Sequence, residues 1–199
     1  MKAFIAVAAM SLMLGAPALA EEKRGEKMAP RSPTVLSAED IQSVAPALAR
    51  FGSEVLIGDL WQRTELSRRD RSIVTVAILI ARNQPAELKH NVEVALDNDV
   101  TAAEISEIVT HLAFYSGWPN AMAAVAVTKD IFVARGIGRE QLAAASPELL
   151  PLNQAAENQR STTVEQNFGA ISPGLVKFTT QPLFLDLWQR PGLKPRDRS

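Results

Sequence analysis

Cysteine is absent from this chain of 199 residues. Its absence excludes disulfide bonds, thiol nucleophiles and thiolate metal sites. Histidine is scarce as well, because His90 and His111 are the only two in the sequence. Two histidines leave little for an imidazole-based metal site. We therefore predict no metal site and no thiol-dependent activity.

An excess of one charge is also missing, since 21 lysines and arginines stand against 22 aspartates and glutamates. A nearly neutral chain lacks the general electrostatic attraction to nucleic acid that a basic surface provides. We expect a small molecule or another protein, rather than a nucleic acid, as the partner.

The N-terminus has the pattern of a cleavable signal peptide. Lys2 supplies a short positive start, residues 3–15 form an apolar run shorter than a membrane span, and Ala18-Leu19-Ala20 offers small residues at a cleavage site. We predict cleavage after Ala20 and a secreted or periplasmic mature protein with no membrane contact, and an uncleaved anchor is the alternative. Residues 21–36 are charged and are predicted to be a tether.

The chain repeats itself at a constant offset of 127 residues. Phe51–Ser72 aligns with Phe178–Ser199 without a gap and with 12 identities in 22 positions. Both stretches contain Asp-Leu-Trp-Gln-Arg and end in Arg-Asp-Arg-Ser. An offset this long is typical of a duplicated domain rather than of a solenoid. In the first copy an apolar run follows directly, so we expect the second copy to be the truncated start of an equivalent module.

An all-α fold is predicted, because no segment shows sustained alternation of apolar and polar residues. Ser67 caps a long apolar helix, and Pro85 breaks that helix and opens the next one. Thr101 and Glu104 have the spacing of a capping box. The predicted helices span about residues 37–51, 54–63, 67–83, 85–99, 101–117 and 119–136.

The domain organisation follows from the repeat and from a change in composition. The helices make up one complete module at residues 37–138. The stretch at 139–163 is rich in alanine, proline, asparagine and glutamine, which favours a linker. The incomplete second copy of the module then occupies residues 164–199.

Glu87, His90 and Asn91 form the first candidate cluster. Spacings of three and four residues place them on one face of the helix that Pro85 opens. A carboxylate beside an imidazole suits proton transfer, because it orients the ring and raises its basicity. The alternative is a solvated face on which Glu87 pairs with Lys89 or His90.

His111, Tyr115 and Trp118 form the second candidate cluster. His111 and Tyr115 are four residues apart and share a helix face, and a Gly-Trp-Pro turn follows them. Aromatic side chains with one polar tip commonly line binding pockets. The alternative is a buried histidine whose hydrogen bonds are satisfied within an aromatic core.

The third candidate is the basic stretch from Arg68 to Arg71, which recurs at residues 195–198 in the form Pro-Arg-Asp-Arg. A cation here could bind the carboxylate of a substrate, with Arg71 as the possible anchor. A capped helix start with an internal ion pair explains the same residues equally well.

Several short motifs, in one order and spacing, resemble the carboxymuconolactone decarboxylase family over about residues 48–136. They are Leu-Ser-Arg-Arg-Asp-Arg-Ser, Ala86-Glu87-Leu88, Ala95-Leu96-Asp97-Asn98, Thr101-Ala102-Ala103-Glu104-Ile105 and Tyr115-Ser116-Gly117-Trp118-Pro119-Asn120-Ala121. The resemblance implies an all-helical fold like that of alkylhydroperoxidase D, assembled as trimers or hexamers of domains. The second copy resembles the start of the same domain.

The family resemblance implies two chemistries. One branch is a thiol-dependent peroxidase, whose mechanism this cysteine-free chain cannot use. The other decarboxylates 4-carboxymuconolactone without a cofactor. We therefore expect an exported, cofactor-free decarboxylase acting on a small carboxylated lactone. The alternatives are a non-catalytic binding or assembly module and, less favoured, an antioxidant role that needs no cysteine.

The resemblance carries over to the candidate residues position by position. Glu87 matches the family's Glu-Leu position, and the string from Tyr115 to Pro119 matches Tyr-x-Gly-x-Pro. Asn91 stands where the decarboxylases have histidine, and Asp99 stands where the family has glycine and is expected to adopt its left-handed backbone. The predicted site residues comprise a catalytic set (Glu87, His90, His111) and a substrate-binding set (Arg71, Asn91, Tyr115, Trp118).

Overall fold

The computed structural model describes residues 36–198, so the predicted signal peptide and most of the predicted tether lie outside the described residues. Within this range the chain forms helices and no strand, which confirms the all-α prediction. No helix between residues 36 and 198 is long and apolar enough to cross a membrane. The α-helices are α1 (Ala38–Val44), α2 (Pro46–Phe51), α3 (Arg68–Ala81), α4 (Pro85–Asp97), α5 (Ala102–Ser116), α6 (Trp118–Ala134), α7 (Gln154–Phe168), α8 (Pro173–Phe178) and α9 (Pro195–Arg198).

The helix starts predicted from the sequence are present in the structure. The Ser67 hydroxyl accepts a hydrogen bond from the Asp70 amide at 3.0 Å at the start of α3. At the start of α5, the Thr101 hydroxyl accepts from the Glu104 amide at 3.2 Å, and the Glu104 carboxylate accepts from the Thr101 amide at 2.9 Å. These bonds satisfy backbone amides that have no partner within the helix.

Two tight turns depend on left-handed backbone. Asp99, with φ of 66°, lies within the connection between α4 and α5, as expected for an aspartate at a glycine position. Gly117, with φ of 93°, separates α5 from α6, a conformation that L side chains rarely adopt. These turns fold α4, α5 and α6 back on one another.

The region before α3 differs from the predicted pair of helices. The first helix is broken at Ala45, because Pro46 has no amide hydrogen to continue it and instead starts α2. The predicted short helix at 54–63 is replaced by a wide π-helical turn, Gly52–Ile57, and a 3-10 turn, Leu60–Gln62.

The core lies between α3, α4, α5 and α6. Helix α3 packs on the other three, and α6 also packs on α4 and α5. The side chains that are almost fully buried there include Val76, Ile80, Leu88, Val92, Val100 and Ile105. Leu193, from the second copy of the repeat, belongs to the same core and is 2% exposed. The module is therefore covered in part by the repeat that follows it.

The two copies of the repeat share their local structure as well as their sequence. The π-helical turn recurs at Thr179–Phe184 and the 3-10 turn at Leu187–Gln189, each displaced by 127 residues. The side-chain amide of Gln62 donates to the carbonyl of Ile57 at 3.0 Å, and Gln189 donates in the same way to Phe184 at 3.1 Å. The repeated sequence therefore specifies one local fold twice.

A helix crosses the predicted boundary between the linker and the second copy. Asn153 caps α7, its side chain accepting from the amide of Ala156 at 3.1 Å. Of the residue types that suggested a linker, alanine and glutamine are also good helix formers. Residues 154–163 are thus helical, while the division into two modules remains a prediction.

Candidate functional site

One face of α5 carries Glu107, His111 and Tyr115, spaced four residues apart, and we call these three side chains the α5 face. The spacing aligns them along the helix. Asp186–Leu193 of the second copy covers them, and we call it the second Trp-Gln-Arg segment. Its counterpart in the first copy, Asp59–Leu66, is the first Trp-Gln-Arg segment.

A buried ion pair joins the second Trp-Gln-Arg segment to α5. Arg190 donates from Nε and Nη2 to the Glu107 carboxylate at 2.6–3.0 Å. Its Nη1 and Nη2 also donate to the carbonyls of Ala145 and Ala144 at 3.0 and 2.7 Å. Hydrogen bonding to Glu107 raises the pKa of Arg190, although burial works in the opposite direction. The guanidinium is therefore fully charged and directed into the α5 face.

The indole of Trp188 completes an aromatic cluster with the α5 face. The His111 and Tyr115 rings stack with centroids 5.0 Å apart, and Trp188 meets His111 edge to face at 5.0 Å. The Trp188 Nε1–H donates to the Tyr115 hydroxyl at 2.8 Å. The stacking of His111 on Tyr115 agrees with their predicted common helix face.

His111 is a buried histidine with an unused nitrogen. It is 8% exposed, and its Nδ1 has no hydrogen-bond partner among the described residues. Burial lowers the pKa of His111 below its ordinary value of 6.5, the positive charge of Arg198 lowers it further, and Glu107 partly offsets both. The ring is therefore neutral at pH 7, so it can accept a proton but is a poor proton donor.

A second aromatic layer extends the cluster outward. Phe184 stacks on Trp188 with centroids 5.9 Å apart, and the guanidinium of Arg160 lies 4.2 Å above the Phe184 ring. Arg160 is in turn held by Glu157 of α7 at 2.6 and 2.7 Å. Helix α7 therefore supports Trp188 indirectly, through Arg160 and Phe184.

The predicted α4 cluster lies elsewhere on the surface. Glu87 and His90 are exposed, and the side-chain amide of Asn91 donates to the Glu87 backbone carbonyl at 2.8 Å. Within residues 36–198, no hydrogen bond or ring contact joins the side chains of Glu87 or His90 to each other or to His111. The structure therefore does not bring the three predicted catalytic residues into contact.

The remaining predicted site residues, Arg71 and Trp118, have other contacts. Arg71 donates to the backbone carbonyls of Leu66 and Arg63 at 3.1 and 2.9 Å, which fixes the loop before α3. Trp118 is 60% exposed, and its ring centroid lies 6.0 Å from that of Phe114. The loop bonds use Nε and Nη2 of Arg71 and give it a structural role. The indole against His111 comes from Trp188 rather than Trp118.

Three residues of the cluster were missed in the sequence: Glu107, Trp188 and Arg190. Glu107 lies four residues before His111, so its place on the same face could have been deduced from the sequence. The two residues from the second copy are identical to Trp61 and Arg63 of the first. Identity alone does not reveal which copy packs on α5.

An apolar pocket of about 370 Å³ lies between α5 and α6. Val109, Thr128 and Phe132 line it, and Lys129 places one cation at its wall. None of the predicted site residues lines this pocket. It therefore does not unite the predicted catalytic groups.

Comparison with known proteins identifies similar sequences over the helical module. The model of the carboxymuconolactone decarboxylase family matches residues 46–130. A 4-carboxymuconolactone decarboxylase from Acinetobacter baylyi is 31% identical over 121 residues, which cover 61% of this chain and 87% of that protein. The nitrosuccinic acid decarboxylase npaB from Metarhizium robertsii is 34% identical over 102 residues, which cover 48% of this chain and 71% of that protein.

Proposed function

The chain belongs to the carboxymuconolactone decarboxylase family, and from this premise we propose that it is an exported, cofactor-free decarboxylase of a small carboxylated compound. The observation that carries the proposal is the similarity to two proteins that are both named as decarboxylases, of which the alignments cover 87% and 71%. The substrates in their names differ, and both names denote the removal of a carboxyl group. The shared activity is a carboxy-lyase activity, and the substrate we propose is a small carboxylated lactone or a related acid.

Loss of carbon dioxide leaves an electron pair on carbon, so the reaction needs a group that holds the carboxylate and an acid that protonates the carbon. We assign proton transfer to Glu87 and His90, which share the exposed side of α4. Asn91, one residue further along, is assigned to substrate binding. Arg71 is assigned as the carboxylate anchor through donors that its bonds to the loop do not use.

The α5 face is assigned a supporting role in the same reaction. His111 is neutral at pH 7, which suits a hydrogen-bonding group better than an acid. Tyr115 is half-exposed and its hydroxyl points to Trp188, so a substrate can reach one side of the ring. Trp118, which is exposed one turn later, is assigned to the wall of the binding site.

Glu87 and His90 are too exposed to work in water-excluded surroundings within one chain. We therefore propose that a homo-oligomer, a trimer or hexamer of domains, encloses the α4 cluster. Enclosure would strengthen the electrostatic contribution of both groups, because a charge interacts more strongly in a low dielectric.

The test is an assay of the full mature chain for carbon dioxide release from 4-carboxymuconolactone and from nitrosuccinic acid. Glu87→Gln and His90→Ala are each expected to reduce kcat by at least about a hundredfold, the usual contribution of a general acid or base. Lys89→Ala is the matched control, since this residue lies between the two on α4 and is exposed. Its activity should equal that of the wild type.

Two outcomes of this assay would contradict the proposal or part of it. If the folded wild-type oligomer releases no carbon dioxide from either acid, the decarboxylase proposal is wrong. If the wild type is active and Glu87→Gln and His90→Ala retain full activity, the reaction takes place but the α4 cluster does not catalyse it.

A second candidate function, a non-catalytic assembly module, is favoured by one observation. Asn91 stands where the decarboxylases have histidine. The discriminating variant is Asn91→His, which restores that histidine on the same helix face. Activity that appears only in Asn91→His would identify the wild-type chain as the non-catalytic form.

A further inference from the structure

The pocket between α5 and α6 is formed by one face of each helix. Ser106, Val109 and Thr110 line it from α5, and their spacing of three and four residues places them on a common face. The lining residues of α6 repeat with the same spacing over two turns: Val125, Thr128, Lys129, Phe132 and Val133. Two of the core helices therefore provide most of the wall.

An ordered turn after α6 provides the rest of the wall. Gly136, with φ of 65°, ends the helix, and the amide of Ile137 then donates to the carbonyl of Phe132 at 2.9 Å. The amide of Leu142 donates to the carbonyl of Arg139 at 3.2 Å across a 3-10 turn. Ile137 and Leu142 both line the pocket. Backbone hydrogen bonds thus fix the positions of these two residues.

The size and lining of the pocket suit the apolar part of a small ligand. Its volume of about 370 Å³ lies at the lower end of the ~300–1,000 Å³ that is typical of small-molecule sites. Valine, phenylalanine, isoleucine and leucine side chains make up most of its lining. An apolar group that enters the pocket removes apolar surface from water, which favours binding.

Thr128 places an unused hydroxyl in this wall. The residue is 7% exposed, and its hydroxyl makes no hydrogen bond within residues 36–198. Thr110 of α5 differs, because its hydroxyl donates to the carbonyl of Ser106 at 2.8 Å. A buried hydroxyl without a partner costs free energy. A ligand oxygen in the pocket would supply the partner that Thr128 lacks.

Lys129, next to Thr128, adds one positive charge to the pocket. It is exposed, and its ammonium forms no ion pair in the part of the chain that the structure describes. Aspartate and glutamate are absent from the described residues that line the pocket. The charge of Lys129 is therefore available to an anion. A single lysine is a compact point charge, which suits a ligand with one negative charge.

We propose that the pocket between α5 and α6 binds a small apolar monocarboxylate. The carbon body lies between Val109 and Phe132, and the carboxylate accepts hydrogen bonds from Thr128 and Lys129. A neutral molecule, or an apolar segment of another protein chain, would leave the hydroxyl and the ammonium without a partner. A dianion would carry more charge than one lysine balances. Charge complementarity therefore favours the monocarboxylate.

This site is separate from the proposed decarboxylase site. None of the residues assigned to proton transfer or to substrate binding lines the pocket. Binding of a monocarboxylate here and release of carbon dioxide at the α4 cluster are therefore independent, and either can fail without the other.

The test is isothermal titration calorimetry of the full mature chain with two acids of different shape, octanoate and 4-phenylbutyrate. The neutral probes are the alcohols of the same carbon skeletons. We expect at least one acid to bind with one site per chain, and its alcohol to bind at least about fivefold more weakly, because a hydrogen bond to a charged group is lost. If neither acid binds, or if each alcohol binds as tightly as its acid, the proposal is wrong.

Lys129→Met tests the charge, since it removes the ammonium and keeps an unbranched apolar side chain. Affinity for the acid should fall at least about fivefold, while affinity for the alcohol stays within about twofold. Lys89→Met is the matched control, because it changes the net charge equally at an exposed position of α4 outside the pocket. Unchanged acid binding in Lys129→Met, or an equal loss in Lys89→Met, would overturn the assignment of Lys129.

Thr128→Val tests the hydroxyl and has a second readout that needs no ligand. The acid should bind about three- to tenfold more weakly, as expected for the loss of one hydrogen bond. Without ligand, the variant should unfold at a higher temperature than the wild type, because it no longer buries an unpaired hydroxyl. A lower unfolding temperature together with unchanged acid binding would show that the hydroxyl is satisfied inside the protein.

Val125→Trp tests the location by filling the pocket. Val125 is 48% exposed, so the larger side chain can enter the pocket from the surface, and it should abolish binding of acid and alcohol alike. Met122→Trp is the control, because Met122 is 60% exposed on the same helix and does not line the pocket. Circular dichroism checks the fold, and Val133→Trp replaces Val125→Trp if that variant does not fold. Acid binding that survives in the folded, filled variant would contradict the proposed site.

Discussion

Arg190 and Glu107 form a buried, multiply hydrogen-bonded ion pair across 83 residues of chain. The pair fixes the second Trp-Gln-Arg segment on α5. Its repeat counterpart, Arg63, makes a local and exposed pair with Asp59. The chain thus contains the same arginine in a buried and in an exposed setting, and substitutions can be compared within one protein.

Arg190→Ala is expected to destabilise the fold far more than Arg63→Ala. Loss of one partner of a buried ion pair typically costs about 3–5 kcal/mol, because the remaining charge is unpaired. Loss of an exposed pair costs about 0–1 kcal/mol. Urea denaturation followed by circular dichroism measures both, and equal losses would show that the Arg190 pair is not buried in solution.

The leucines of the two segments should also differ in stability cost, with the larger cost in the second segment. Leu193→Ala removes a side chain that is 2% exposed, and we expect a loss of about 2–4 kcal/mol from the cavity it leaves. Leu66→Ala, at the equivalent exposed position, should cost about 0.5 kcal/mol. Thermal unfolding of both variants tests the difference. A cost at Leu66 that matched Leu193 would mean that the first segment is already covered in the wild type.

His111 should make stability depend on pH. Burial lowers its pKa in the folded state below the ordinary 6.5, so the unfolded chain takes up a proton first as pH falls. The folded state is therefore most stable above pH 6.5 and loses stability as pH falls below it. His111→Phe removes this dependence. The denaturation midpoints of the wild type and of His111→Phe, measured between pH 5 and 8, should converge or cross as pH falls. Parallel curves for the two proteins would contradict a lowered pKa of His111 in the folded state.

Asp99→Gly is expected to stabilise the turn between α4 and α5. Asp99 has φ of 66°, which costs an L-residue roughly 1–2 kcal/mol and costs glycine little. Glycine also makes the unfolded chain more flexible, which offsets part of this benefit. We therefore expect the free energy of unfolding to rise by about 0.5 kcal/mol. Asp130→Gly, on the exposed side of α6, is the control, and its free energy of unfolding should fall by about 0.5 kcal/mol. A loss in both variants would contradict the left-handed turn.

Much of the fold could be predicted because its signals are local. The capping box of Thr101 and Glu104, the break at Pro85 and the left-handed position of Asp99 each depend on a few neighbouring residues. The break at Pro46 was missed because the helical pattern on its two sides looks continuous. Helix α7 was missed because its alanine and glutamine content is shared by linkers and by exposed helices.

The cluster on α5 was harder to predict because its partners are distant in sequence. His111 and Tyr115 were paired correctly from their spacing. The choice between Trp118 and Trp188 as the indole beside His111 depends on how the second copy packs, and no local pattern contains that information. The exposure of Glu87 and His90 likewise depends on which side of α4 faces the core.

The fifteen residues of α7 have a consequence for how firmly the second segment is held. As a helix they span about 22 Å, whereas an extended chain of that length would reach about 50 Å. A shorter and stiffer tether confines the attached segment to a small volume and so raises its effective concentration at the α5 face. The second segment, which follows α7 in the chain, therefore binds α5 as an intramolecular ligand.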